Sequence, residues 1–331
     1  MEAGLPTLLP WQTEVFERAL KLKREGHLPH AVMVETSSDY HMEDLARYLS
    51  MLLLCDQAQG VALCGACEAC RMMSAGTYAD FSLVTLEVDT KTKKLNKNIK
   101  IEQIRNLIHE VFLTRKYDRL KIAVIFPAES MNKSSANALL KTLEEPADNV
   151  LLLLVTRNPG RIPITLRSRC QSWTINPPDE VPSLAWIEEQ GVDPESARQY
   201  LQYAAGDPLL ALHLQQQNYA QTVDTFKTNL AAFLRGGRSA SELCKSLLSS
   251  ELAVARRLIE MTLNAYCFKA CGVGNHEQGA NTADKARARG LLDLQRRAQQ
   301  QLQVEENNLD FQLQLEDVLI SLKQILTRRL S

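Results

Sequence analysis

Four cysteines crowd into one short stretch, "CDQAQGVALCGACEAC" at 55–70, in the arrangement C-x8-C-x2-C-x2-C formed by Cys55, Cys64, Cys67 and Cys70. Four thiolates enclose one Zn2+ tetrahedrally, and two-residue spacers let neighbouring cysteines turn onto the same ion. A closed set of this kind leaves no coordination position for a substrate, so the zinc it predicts is structural. An iron–sulfur cluster uses similar spacers, and four unrelated buried thiols are the plainest alternative. Cys170, Cys244, Cys267 and Cys271 stand outside the cluster, and the last two, four apart on one helix, read as core packing.

A second stretch invites a different chemistry. "VETSSDYHMED" at 34–44 follows the apolar run "HAVMV" and precedes the helical pattern "LARYLSMLLL". Strand, loop and helix in this order hold nucleotide phosphates in many proteins, against backbone N–H groups and a lysine. This loop has neither glycine nor lysine. Read alone, it is an ordinary connector or a phosphate loop without its chemistry.

The elements that must position these residues alternate. "KIAVIF" (121–126), "VLLLLVT" (150–156), "AVMV" (31–34) and "FSLVTL" (81–86) have the composition of strands buried on both faces, as in a parallel sheet. Between them, Ile101, Ile104, Leu107, Ile108 and Val111 predict one face of a helix over 101–113. A second helix over 134–145 is expected to turn Ala138, Leu139 and Leu143 inward and Lys141, Glu144 and Glu145 outward, and to stop at Pro146. This alternation predicts an α/β domain over 1–175. After "NPPDEVPS" (176–183) only helical patterns follow, broken at Gly206-Asp207-Pro208, at Gly236-Gly237 and at "GVGNHEQGANTAD" (272–284).

A chain of 331 residues suggests more than one domain. With 45% hydrophobic residues, 23% charged residues and a formal charge of −1, the composition is that of a globular chain and excludes a strong overall field for nucleic acid. The first twenty residues lack a secretory pattern, and no apolar run approaches the roughly 20 residues of a membrane span, so a cytoplasmic protein is expected. In that compartment cysteines are thiols or metal ligands.

"SANALLKTLEEP" (135–146), "TLRSRC" (165–170) and the four cysteines, taken together, closely resemble bacterial clamp-loader subunits of the AAA+ ATPase superfamily. That group contains the tau/gamma and delta prime subunits of DNA polymerase III, the holoenzyme that is the DNA-directed DNA polymerase. The resemblance runs from "LPHA" (28–31) through the helical C-terminal half. It implies an AAA+ P-loop-type parallel-sheet domain with a zinc insertion (1–175), a small helical lid (176–216) and an all-α collar (217–331).

Motor members of the family carry a G-x-x-x-x-G-K-[ST] loop, with lysine on the phosphates and a hydroxyl on Mg2+. Aligned on "HAVMV", the glycines fall at Thr36 and His41, the lysine at Met42 and the hydroxyl residue at Glu43. Where motors carry an Asp-Glu pair after the third strand, this chain has Pro127-Ala128, with Glu129 the nearest acid. Leu209 in "GDPLLAL" stands where a motor senses the γ-phosphate with an arginine. The resemblance is therefore to the delta prime branch: no ATP bound, no intrinsic ATPase.

What the family motif keeps is Ser168-Arg169-Cys170, which presents an arginine finger across a subunit boundary. By resemblance Arg169 serves ATP on an adjacent tau/gamma subunit, with Arg167 a weaker supporting candidate. Without the flanking motifs, "RSR" reads as a solvated basic turn. The implied partners are tau/gamma and delta subunits in a hetero-pentamer, the sliding clamp and primed DNA. The five lysines of "TKTKKLNKNIK" (90–100) read as a solvated hairpin or loop rather than a DNA contact. The helix start at Asn132-Lys133-Ser134-Ser135 is a weaker phosphate-contact candidate. Two rival readings are a divergent tau/gamma-like ATPase motor and an independent zinc-containing nucleic-acid-binding module. The stretch from Cys55 to Cys70 holds none of the basic and aromatic residues that the second requires.

Overall fold

The computed structural model describes residues 5–36, 38, 41–89, 95–117, 119–204, 206–217, 219–248, 252–270, 282–301 and 308–327. Cys271, most of the 272–284 loop, and Lys91, Lys93 and Lys94 of the lysine-rich segment lie outside the described residues. The residues flanking those lysines pair as a hairpin base, Val88 against Leu95, with Lys100 beside Glu87 at 3.7 Å. The chain divides into two compact units, Met1–Leu212 and His213–Ser331.

In the first unit, α1 (Thr13–Arg24) leads to β1 (Ala31–Thr36), α2 (Met42–Leu54), α3 (Glu68–Ser74) and β2 (Phe81–Val84). Then come α4 (Ile101–Phe112), β3 (Lys121–Ile125), α5 (Lys133–Glu144), β4 (Val150–Thr156), α6 (Ile164–Arg167) and β5 (Gln171–Ile175). Helices α7 (Glu180–Glu189), α8 (Pro194–Tyr203) and α9 (Pro208–Gln216) follow, and the division between the units falls within α9.

The five strands form one sheet in the order β2-β3-β4-β1-β5, every neighbouring pair parallel. β3 and β4 are buried at every position, which is why they carry the apolar runs "IAVI" and "VLLLLV". One face of the sheet carries the core that includes Phe16, Leu49, Leu52 and Trp173; the other carries Ile104, Leu107, Leu139 and Leu166.

The strand at 171–175 is absent from the expectations drawn from sequence. β5 is an edge strand in which only Trp173 and Ile175 are buried, so its polar alternation lacks the apolar density that marks the others. The two expected helices form within a residue of their bounds. In α4, Ile104, Leu107 and Val111 are buried, while Ile101 and Ile108 are half-buried at the edge of the stripe. In α5, Leu139 and Leu143 face inward as expected, but Ala138 is half-buried and Ser135 and Ala136 occupy the interior instead. Asn132 caps this helix by accepting the Ser135 N–H at 2.8 Å.

One charge pair is sealed into this unit. Lys121 and Asp80 are 8% and 3% exposed and 3.7 Å apart. Lys121 Nζ also donates to the carbonyls of Glu110 and Leu113, and Asp80 accepts the Lys116 and Tyr117 N–H groups.

The second unit is helical: α10 (Tyr219–Leu234), α11 (Ala240–Leu248), α12 (Leu252–Ala270), α13 (Thr282–Gln301) and α14 (Asn308–Thr327). α13 packs on α12 and α14, and α11 on α10 and α14, around buried Leu243, Leu258, Leu291, Phe311 and Leu315. Cys267 is buried there, as core packing predicts, and Cys244 is buried as well. No described helix is long and apolar enough to cross a membrane.

Candidate functional site

In an open parallel sheet, ligands bind beyond the carboxyl ends of the strands where the strand order reverses. Here that point is the end of β1, since β1 leads away to the far edge at β2 while β4 crosses over it to β5. Thr36 closes β1 beside Ile175 of β5, and its Oγ1 accepts the Ser38 N–H at 3.4 Å. Ser37, Asp39 and Tyr40 lie outside the described residues.

His41, aligned with the second glycine of a phosphate loop, has φ 64° and ψ 19°. This is the left-handed region that glycine enters freely and a branched or bulky side chain avoids. The chain thus bends through a left-handed residue just ahead of α2, and the His41 Nδ1 lies 2.9 Å from Asp44 Oδ2. Met42 is 6% exposed and packs into the core with Leu45 and Leu49. Glu43 accepts a hydrogen bond from Arg47 Nε on its own helix at 2.7 Å.

The cleft over these residues is also bounded by Leu9, Trp11, Pro208 and Leu209 and has about 10 Å³ of open space, room for about one water molecule. At its far wall, Asp207 Oδ1 accepts the N–H groups of Leu209 and Leu210 at 3.0 and 3.2 Å. The start of α9 therefore spends its free donors on its own aspartate. Pro127 follows a cis Phe126–Pro127 bond, and Ala128 is buried. Glu129 is engaged by the end of β4: it accepts from Thr156 Oγ1 at 2.7 Å and from the Arg157 N–H at 3.3 Å.

The cysteine cluster assembles as its spacing predicts. The ligand atoms of Cys55, Cys64, Cys67 and Cys70 all lie within 4.8 Å of one another. Cys55 and Cys64 Sγ are 3.5 Å apart, and Cys64 and Cys70 Sγ are 3.9 Å apart. A tetrahedron with Zn–S bonds of about 2.3 Å has edges of about 3.8 Å, so the four sulfurs fit one ion. They are too close together to surround a cluster of several irons with bridging sulfides.

The turn between Cys64 and Cys67 needs Gly65, whose φ is +66°. It aims the Cys67 N–H at Cys64 Sγ, 3.3 Å away, and the Cys70 N–H approaches Cys67 Sγ at 3.5 Å. Backbone donation from Cys67 and Ala66 holds the Cys64 thiol down to about 6, favouring thiolate, whereas burial pushes Cys55 and Cys70 up. The module is tied to the sheet domain by Arg119, 2.7 Å from Asp56, and by Tyr48, which donates to the Val61 carbonyl at 2.8 Å.

At the end of α6, Ser168 and Arg169 are exposed and Cys170 is half-buried, its thiol pushed up to about 11 by burial. Arg169 Nη1 donates to the Thr165 carbonyl at 2.9 Å, and Nη2 to Glu144 Oε1 at 2.6 Å.

A family profile described as DNA polymerase III, delta subunit, matches residues 11–179. A Pseudomonas aeruginosa protein named DNA polymerase III subunit delta prime is 30% identical over 72% of this chain and 71% of its own length. The Escherichia coli subunit delta prime is 31% identical over 75% of this chain and 72% of its own. This chain belongs to the DNA polymerase III delta prime family. The Escherichia coli tau subunit is also similar, 32% identical over 44% of this chain and 21% of that one.

In this delta prime family member, the residues singled out from sequence separate into three places. Thr36, His41, Met42 and Leu209 gather at the cleft above β1, while Glu43 lies outside it on α2, paired with Arg47; the four cysteines form the module after α2; Ser168, Arg169 and Cys170 end α6. Three contacts escaped sequence reasoning: Asp207 capping α9, Glu129 bound to Thr156, and Glu144 bound to Arg169. Glu144 lies inside the "LEEP" stretch, but the sequence marks it only as an outward-facing helix residue.

Proposed function

We propose that this chain is the non-hydrolysing delta prime subunit of a replicative DNA polymerase III clamp loader. It stands in a hetero-pentamer with tau/gamma and delta subunits, supplies Arg169 to ATP on a neighbouring tau/gamma subunit, and helps load the ring-shaped sliding clamp onto primed DNA. On this reading residues 1–175 form a degenerate nucleotide-binding-type domain, 176–216 a small lid, and 217–331 the collar through which subunits assemble.

The observation that carries the reading is the contrast between the two phosphate-related sites. Met42 is buried where a lysine would meet phosphate, while the Arg169 guanidinium is presented at the surface. Charge developing on a transferring phosphoryl group is stabilised by a guanidinium delivered in trans, an effect worth about 10³–10⁵ in rate. A structural Zn2+ held by Cys55, Cys64, Cys67 and Cys70 would brace the connection between α2 and β2. It would supply folding energy and no chemistry.

Arg169→Ala in the reconstituted complex is expected to leave assembly intact and to lower clamp-stimulated ATP hydrolysis, by about 10³-fold at the interface that Arg169 faces. Unchanged turnover in an assembled complex would remove the finger.

A further inference from the structure

An exposed arginine is a poor catalytic group unless something fixes it, because its long side chain samples many rotamers and the geometry required at a phosphoryl group is narrow. Arg169 is fixed on one edge. Thr165 O, one turn back on the chain, takes Nη1 at 2.9 Å, and Glu144 Oε1 takes Nη2 at 2.6 Å. The second of these reaches from another element. Glu144 is the last residue of α5, a helix anchored by buried Leu139 and Leu143 and packed directly on α6. A guanidinium has five N–H donors, so with these two engaged three remain for an incoming anion.

We propose that Glu144 is the positioning residue of the arginine finger. It holds the Arg169 guanidinium in one orientation, with its free edge directed away from α5, before the neighbouring ATP arrives. The proposal rests on the assignment of Arg169 as the finger. Glu144 touches neither nucleotide nor metal and acts only through Arg169. Both side chains are partly exposed, at 36% for Arg169 and 52% for Glu144, so the pair adds little to the stability of the fold. Removing it should therefore change turnover without unfolding the chain.

The test uses the full-length chain in the reconstituted clamp-loader complex, with steady-state ATP hydrolysis and a thermal melt for each variant. Glu144→Ala is expected to lower kcat by about fivefold, the rate equivalent of a partly exposed ion pair, with KM for ATP unchanged. Glu144→Gln keeps an oxygen acceptor at the same place and should recover most of that loss. In an Arg169→Ala background, Glu144→Ala should cost nothing further, because the group it positions is gone.

Three results would overturn the proposal while leaving the finger in place: wild-type kcat for Glu144→Ala when Arg169→Ala is impaired, a rise in kcat showing that the carboxylate restrains the arginine, or fully additive losses in the double variant. An Arg169→Ala complex with wild-type turnover would instead remove the finger itself, and the role of Glu144 with it.

Discussion

At position 41 a histidine occupies a left-handed backbone conformation, φ 64°, that costs a non-glycine residue about 1 kcal/mol or more. The two residues that follow it turn to the protein itself: the Met42 side chain is buried and Glu43 is bound to Arg47. The cysteines are the opposite case, residues whose chemistry depends on their precise grouping. With four sulfurs within 4.8 Å of one another, the proposed zinc should copurify at one equivalent per chain, measured by X-ray fluorescence or elemental analysis. Cys64→Ser should abolish that stoichiometry and lower Tm by roughly 5–10 °C, the shift that the loss of a few kcal/mol produces in a domain of this size. Cys244→Ser, in the helical unit, should leave the zinc content untouched. Full metal content in the Cys64→Ser protein would argue against the cluster as the site.

Among the elements, the buried pair of Asp80 and Lys121 shows most clearly how the sheet depends on its loops. Asp80, just ahead of β2, meets the first residue of β3 and two backbone N–H groups of the preceding loop. Asp80→Ala would strand the Lys121 charge in the interior and should cost about 3–5 kcal/mol in urea unfolding. Asp80→Leu combined with Lys121→Met should cost less than the single change, because no lone charge stays buried. Nothing in the sequence pairs these two residues, which lie on either side of α4. The same limit explains what else was legible. β1, β3 and β4 declare themselves because the runs "AVMV", "IAVI" and "VLLLLV" are apolar and buried at every position. β5 does not, because an edge strand needs only Trp173 and Ile175 inside. The metal cluster is local and its spacing is readable. The contact between Arg169 and Glu144 joins positions separated by 25 residues and exists only because α6 packs on α5.

For the whole molecule, the question is whether the chain acts as a nucleotide-driven motor or as a fixed part of one. Net charge does not decide it, since −1 over 331 residues gives no field that would gather or repel ATP. The cleft does bear on it. A triphosphate at the end of β1 would need a cation at Met42, donors at the start of α9 and a carboxylate near Pro127 to hold Mg2+. It would meet instead the Met42 thioether, the Asp207 cap and a Glu129 already bound by Thr156 and Arg157. Each deficit is independent, so repairing one should not restore binding. The isolated chain titrated with a fluorescent ATP analogue and Mg2+ should show no saturable low-micromolar binding. The double variant Met42→Lys, Glu43→Thr should show none either, because Leu9 and Leu209 still bound the cleft and Glu129 is already engaged by Thr156 and Arg157. Low-micromolar, Mg2+-dependent binding by the unmodified chain would return it to the ATPase motors. Binding gained by the double variant alone would mean that the loop, and not the three deficits together, is what separates this subunit from them.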